Sequence, residues 1–413
     1  MKKIRTWAIT GSGYGDEGKG LMTDYFCSNA KSERVLNIKV NGGAQAGHTV
    51  CRIERGILLA YNRYVFHSFG SGTFAMANTH LGQKFLIDAE EIHKEYSQIS
   101  QMFKYYPKIT IDPGCRIVFT FDKILNQLME KSRKEPHGTC GYGIFESVNR
   151  NHNGYCMNIY EAGRLSKEDL ECMIYDISMC YGKHRIEGWK EHIDCEFLKQ
   201  CAKKDAENIY NLIHSPYAEI MSLQKAVDIY GYRDLVFECS QGLELDWSEK
   251  RNFPHVTGSH TGLRNVAKEL LSMENMNLEK FEACYVTRSY KTKHGDGFFA
   301  EQDDSIASKY GLYDRTNIPN SSQGVLRYGK LDIDRMTQLI NADFESFLLS
   351  MGNKLDNCIV KKSLAVTHID QTCETLITTE GNRHFTEISA ESILNGANTY
   401  YSFGETAEMI IRS

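Results

Sequence analysis

The most constraining feature of this chain is a glycine-rich turn set directly behind a short apolar run. Ile4–Thr10 is β-prone and apolar, Gly13-Tyr14-Gly15-Asp16-Glu17-Gly18-Lys19-Gly20 follows, and Leu21–Ser28 is suited to a helix. The turn has the phosphate-loop spacing G-x-x-x-x-G-K, with Gly20 where serine or threonine usually stands. Glycines allow backbone N–H groups to face phosphate oxygens, and Lys19 adds a point charge. The start of the next helix adds the positive end of its dipole. Asp16 and Glu17 work against such a site, because they place negative charge inside an anion cradle. A metal or a proton-transfer role in the loop would compensate. The plainer reading is a strand–turn–helix junction with solvated carboxylates.

Other segments follow the same pattern. Arg34–Val40 is a second strand candidate that ends in Asn41-Gly42-Gly43, and Phe85–Ile87, Leu235–Glu238 and Leu364–Thr367 are a third, fourth and fifth. Short β-prone runs that stop at glycine or polar residues suit parallel strands whose C-terminal ends carry a site. Phe121–Lys134 and Ser166–Lys204 are charged and helix-like. With 413 residues, 41% apolar, only 6 prolines and no repeat, the chain is expected to form one large α/β domain with helical insertions. The expected architecture is a large, mostly parallel sheet flanked by helices, with a phosphate-loop site.

Charge and cysteine usage narrow the function classes. There are 48 basic and 53 acidic residues, a net charge of −5, which is no footprint for nucleic acid or an anionic membrane. No apolar run reaches the roughly 18–20 residues of a membrane helix. The basic N-terminal stretch lacks the apolar segment of a signal peptide. Thirteen cysteines without a C-x-x-C pair fit a reducing compartment, so a cytoplasmic protein is expected.

The loop after the second strand reads Asn41-Gly42-Gly43-Ala44-Gln45-Ala46-Gly47-His48-Thr49. Its small residues permit close approach to a ligand, and His48 can donate a hydrogen bond or a proton near neutral pH. Together the two loops resemble those of adenylosuccinate synthetases, which carry GDEGKGK and GG-x-x-AGHT where this chain has GDEGKGL and GGAQAGHT. The similarity continues in order. His67 with Ser71-Gly72 resembles H-x-x-P-S-G, Gly138-Thr139-Cys140-Gly141-Tyr142-Gly143-Ile144 resembles GTTGRGI, and Phe237–Asp246 resembles FEGAQG-x-x-LD. Pro254–Ser259 resembles PYVTSS, Tyr290–Gly297 resembles YTTRVGEG, and Ser402-Phe403-Gly404 resembles STG.

The resemblance implies one synthetase-like domain over residues 1–413, with a helical insertion near 121–230. It implies a ligase that moves the γ-phosphate of GTP, or ATP, to the 6-oxo group of inosinate and displaces it with L-aspartate. In that chemistry Asp16 is the base and a magnesium ligand, Gly47 offers the metal a carbonyl, His48 stabilises the moving phosphoryl group or protonates the leaving phosphate oxygen, and Lys19 neutralises charge. Positioning and electrostatics supply most of the acceleration in such a transfer. Gly13, Gly15, Glu17, Gly18, Gly20, Gln45, Thr49, Thr139, Cys140, Gln241, Leu245, Thr257, Asp370, Ser402 and Gly404 match nucleotide- or substrate-binding places. A homodimer is implied as well.

Besides the proline missing before Ser71, the chain departs from the pattern at three points. The arginine-rich GRPRR-x-GW-x-D segment corresponds to Asn320–Asp332, where Arg327 alone remains to grip the aspartate carboxylate. The guanine-reading TK-x-D becomes Thr367-His368-Ile369-Asp370, which opens the site to ATP. Tyr142 replaces an arginine, and Arg150 is the nearest basic residue to the cluster that the family sends to the partner subunit's nucleotide. These changes resemble a phage-associated branch that acts on deoxyguanylate with ATP. Its members tend to lack the loop aspartate, so Asp16 favours inosinate. Outside ligase chemistry, a phosphate-loop switch or sensor is the alternative, and Gly20 argues against it because such switches hold magnesium with a hydroxyl at that position.

Overall fold

The computed structural model describes residues 3–32, 34–54, 60–132, 141–186, 194–274, 276–315, 325–387, 393–394 and 397–413. A ten-stranded sheet organises them, and its strands are labelled here in chain order. They are β1 Lys3–Gly11, β2 Val35–Lys39, β3 Asn78–Leu81, β4 Ile109–Ile111, β5 Ala218–Ile220, β6 Asp234–Gly242, β7 Asn277–Arg288, β8 Ile359–Thr367, β9 Asn398–Ser402 and β10 Ile410–Arg412. The spatial order is β10-β9-β8-β7-β1-β6-β2-β3-β4-β5. Every neighbouring pair is parallel except β9–β10, which closes one edge antiparallel.

The two-residue period of a strand sends alternate side chains to opposite faces. In β1, Ile4 and Ala8 enter one core, with Leu235, Phe237, Leu364 and Val366. Trp7 and Ile9 enter the other, with Val236, Ala365 and the α1 residues Leu21, Met22 and Phe26. Helix α1 spans Lys19–Ser28. Covering both faces is what a parallel sheet requires, and it explains the near-continuous apolar runs of its central strands. A third core joins Leu81, Ile109 and Ile111 to the helical stretch through Phe121, Leu125, Leu170, Ile174, Leu198 and Ile209.

Four of the five expected strands are in the sheet as β1, β2, β6 and β8. The third is elsewhere. Leu86–Ile87 pairs with Arg116–Ile117 in a separate two-stranded ribbon, and β3 takes the place beside β2. The strand signal in β3 is hidden because its middle is polar. Thr79 and His80 are fully buried, the Thr79 hydroxyl accepts the Gly70 N–H at 2.9 Å, and His80 Nδ1 lies 2.8 Å from Thr110 Oγ1. The twelve-residue β7 went unpredicted because its first half, Asn277–Phe281, carries Glu279 and Lys280. The helix expected over Phe121–Lys134 runs Thr120–Ser132, with residues 133–134 outside the described residues. Ser166–Lys204 forms two helices, Lys167–Arg185 and Cys195–Ile213, with residues 187–193 outside the described residues.

Candidate active site

The C-terminal ends of β1, β2, β6, β7, β8 and β9 converge, and the loops they feed surround one cleft of about 590 Å³. This is where an open parallel sheet places its ligands. After β1, Gly18 at φ 95° caps α1 in the left-handed region, which a residue without a β-carbon enters at no steric cost. The helix then starts at Lys19, and its first amides have no intrahelical acceptor.

The two acidic residues of the turn face opposite ways. Glu17 is buried under the loop, where its Oε1 accepts the Gly13 and Gly15 N–H groups at 3.1 and 2.8 Å and its Oε2 accepts from Lys19 Nζ at 2.6 Å. It therefore stabilises the loop from within and does not line the cleft. Asp16, at φ 62°, turns into the cleft instead. Its Oδ2 lies 3.1 Å from His294 Nε2, and its carbonyl accepts from Arg288 Nε at 2.5 Å. Burial pushes the Asp16 carboxyl pKa up, but His294, Arg288 and Lys19 outweigh that and hold it below its ordinary value.

Gly20 has a packing reason to lack the usual hydroxyl. A β-carbon there would sit 2.9 Å from the Thr49 carbonyl oxygen and 3.0 Å from His48 Cβ. Gly20→Ser, which restores the common motif, is expected to destabilise the fold by about 1–3 kcal/mol and to lower activity, since α1 and the His48 strand must separate. A denaturant titration beside a turnover assay checks this, and a more active Gly20→Ser enzyme would contradict it.

His48 opens a hairpin, His48–Glu54 with Ala60–Phe66, that forms another wall of the cleft. Its Nδ1 bonds to Glu238 on β6. Glu238 is fully buried, accepts from the Ser71 N–H at 3.0 Å and the Ser71 hydroxyl at 2.6 Å, and lies 3.9 Å from the buried Lys39 ammonium. Burial raises the Glu238 pKa, but Lys39, His48 and Ser71 together hold it well below the carboxylate range. Burial lowers the His48 pKa against the pull of Glu238. The imidazole is thus oriented by an ionised carboxylate, as in histidine-based acid–base sites.

Of the residues expected at the site, Gly15, Asp16, Gly18, Lys19, Gly20, Gln45, Gly47, His48, Thr49, Gln241, Leu245, Asp370 and Gly404 line the cleft. Gly13 and Glu17 border a smaller cavity behind the loop. Thr257, Ser402 and Arg327 are not on the cleft wall. Thr257 donates its N–H to the Leu245 carbonyl at 2.8 Å, and the Ser402 hydroxyl donates to the Gly404 carbonyl at 2.7 Å, so both shape neighbours that do line it. Arg327 Nη2 donates to the Gly295 and Gly297 carbonyls at 2.7 and 3.1 Å, which braces the loop after Lys293. Thr139 and Cys140 lie outside the described residues. Arg150 is held inside its own chain. It is fully buried and bonds Asp122 through two nitrogens, at 2.8 and 3.0 Å.

Sequence reasoning gave no role to Glu238, Lys39, Arg288, His294, Arg63 or Tyr313. Glu238 had a signal, a carboxylate inside the apolar run Leu235–Cys239. His294 had only its place inside the Tyr290–Gly297 stretch, and Arg288 had none, because their partner is the Asp16 loop, far away in the chain.

Residues 8–334 match the model of the adenylosuccinate synthetase family. The chain is 25% identical over 295 residues to the adenylosuccinate synthetase of Picrophilus torridus, covering 70% of this chain and 64% of that protein. It is 27% identical over 306 residues to that of Petrotoga mobilis, covering 72% and 65%. The matches thus span under two thirds of these relatives' length. In fold it resembles the fully ligated adenylosuccinate synthetase from Plasmodium falciparum, with TM-score 0.70 and 16% identity over 98% of this chain and 99% of the other. It also resembles a cyanophage S-2L succinoaminodeoxyadenylate synthetase bound to dGMP and dATP, with TM-score 0.63 and 12% identity over 100% and 96%.

Proposed function

Because the chain belongs to the adenylosuccinate synthetase family, we propose that it joins L-aspartate to the 6-position of a purine nucleoside monophosphate, inosinate first, at the cost of one nucleoside triphosphate. The observation that carries this reading is that Asp16 and His48, from separate loops, face one cleft together with Lys19. Asp16 takes the proton from the ring nitrogen beside the 6-oxo group. The oxygen attacks the γ-phosphorus and the nucleoside diphosphate leaves. The aspartate amine then attacks carbon 6 and expels phosphate.

His48, its Nδ1–H held by Glu238, takes a proton on Nε2 as the anionic phosphates bind and donates it in a hydrogen bond to the phosphoryl oxygens during both transfers. Lys19 and the first amides of α1 offset their charge. The Asp16 carboxylate and the Gly47 carbonyl are hard oxygen donors on the same cleft, a set that suits Mg²⁺ completed by phosphate and water. When bound, the ion would draw charge from the β- and γ-phosphates.

Asp370 and His368 are our candidates for the base of the donor, and histidine in place of lysine leaves both GTP and ATP as donors to test. Residues 1–413 act as one unit, supported by a single sheet that pairs strands from Lys3 to Arg412 and carries the helical stretch near 121–230 on its flank. We further propose a cytoplasmic homodimer. No helix among the described residues is long and apolar enough to cross a membrane.

The experiment is a panel of inosinate, guanylate and deoxyguanylate, each with GTP or ATP, with L-aspartate and magnesium. Succinylated product and phosphate from inosinate are the expected result. Product from deoxyguanylate alone would transfer the reading to the sister reaction. Hydrolysis without aspartate incorporation would discard ligase chemistry.

A further inference from the structure

We infer that Arg288 is a positioning residue that sets the Asp16 carboxylate by clamping its backbone, and that ties it through Tyr290 to Gln371 on the cleft wall. The inference rests on the assignment of Asp16 as the base. Asp16 holds φ 62°, a backbone region that residues other than glycine seldom occupy. The carbonyl of that residue accepts from Arg288 Nε at 2.5 Å. Arg288 ends β7 and is only 4% exposed.

Its other two nitrogens are also engaged within the protein. Nη2 donates to Asp314 at 2.9 Å, and Nη1 to the Tyr290 hydroxyl at 3.1 Å. Tyr290 in turn donates to Gln371 Oε1 at 2.7 Å. Gln371 follows Asp370, and both line the cleft. A planar guanidinium can hold three such acceptors in fixed directions, which a lysine ammonium cannot. Arg288 borders the cleft, but three of its five N–H groups, one on each nitrogen, are committed to the protein, so we place its role in holding Asp16. The strained φ fixes the direction in which the carboxylate leaves the chain, so loosening the clamp misaims the base.

The test is a double-mutant cycle on the full chain, with Arg288→Lys, Asp16→Asn and their combination assayed on the best substrate set. Arg288→Lys should lower kcat about 30-fold, because small misplacements at a reacting centre are that costly. The donor KM should change by less than about threefold. In the Asp16→Asn background the same substitution should cost less than about threefold, since the clamp then has no base to aim. An equal loss in both backgrounds would overturn the inference. So would a raised KM at unchanged kcat, which would mean direct contact with substrate. Wild-type turnover of Asp16→Asn would locate the error in the base assignment and remove the inference with it. Should Arg288→Lys fail to fold, Tyr290→Phe loosens the same guanidinium. Its smaller loss, about fivefold, should likewise vanish in the Asp16→Asn background, and persistence there would overturn the clamp.

Discussion

Asp16→Asn is expected to lower turnover by about 100-fold or more, the usual loss when a general base is removed, while nucleotide binding changes little. The substitution keeps the shape of the side chain and its reach toward His294, and it leaves the carbonyl bond to Arg288 in place. What it removes is a carboxylate that its surroundings keep ionised. His294, Arg288 and Lys19 hold the Asp16 pKa below the ordinary value, so the group is a proton acceptor throughout the neutral range. Lys19 and the amides that start α1, the proposed phosphate contacts, are untouched. Steady-state turnover combined with equilibrium binding of the triphosphate separates the two effects. Turnover at the wild-type rate would show that another group takes the proton.

Glu238→Gln should harm both stability and catalysis. Glu238 is the counter-charge of the buried Lys39 ammonium and the orienting partner of His48. Glutamine keeps the volume and can still accept the Ser71 N–H, so the loss isolates the charge. Leaving one member of a buried pair uncompensated costs about 3–5 kcal/mol. With the imidazole no longer held in one orientation, turnover should fall by about 100-fold.

The sign of the pH dependence follows from the depressed pKa of Glu238. A carboxylate whose folded pKa lies below its unfolded value contributes stability that is present above the unfolded pKa, about 4.3, and lost as the pH falls through the folded one. The stability gap between wild type and Glu238→Gln should therefore be constant from about pH 5 to 9 and shrink in stronger acid. Urea titrations at several pH values measure it. A gap that narrows instead as the pH rises to 9 would mean that Glu238 is not the ionised partner.

Much of the fold could be read in one dimension. β1, β2, β6 and β8 were recognisable because both faces of a buried parallel sheet need apolar residues, which leaves short continuous runs that end at glycine. β3 and β7 escaped because their polar residues are satisfied inside the fold. Thr79 and His80 are paired with Gly70 and Thr110, and Lys280 with Glu282 and the Trp7 ring. A residue-by-residue reading scores those side chains as solvent-facing.

The site divides along the same line. The two glycine loops, their lysine and their histidine are local patterns, so their place at the strand ends was legible in the sequence. The partners that tune them were not. Glu238 is 190 residues from His48, and Arg288 is 272 from Asp16. Only parallel strand pairing brings them side by side.

The adjacent Asp16 and Glu17 make the division sharpest. Composition and order alone establish that a phosphate turn carries two carboxylates and so needs a metal, a proton or a partner for each. Which of them meets the ligand depended on the folded backbone. Glu17 turns inward because the Gly13 and Gly15 amides and Lys19 offer it three donors at hydrogen-bonding distance. Asp16 turns outward, with its backbone in the left-handed region, its carbonyl bonded to Arg288 from another strand and its carboxylate beside His294. Side-chain direction follows backbone torsion, and here the torsion is set by contacts that no local stretch of the chain contains.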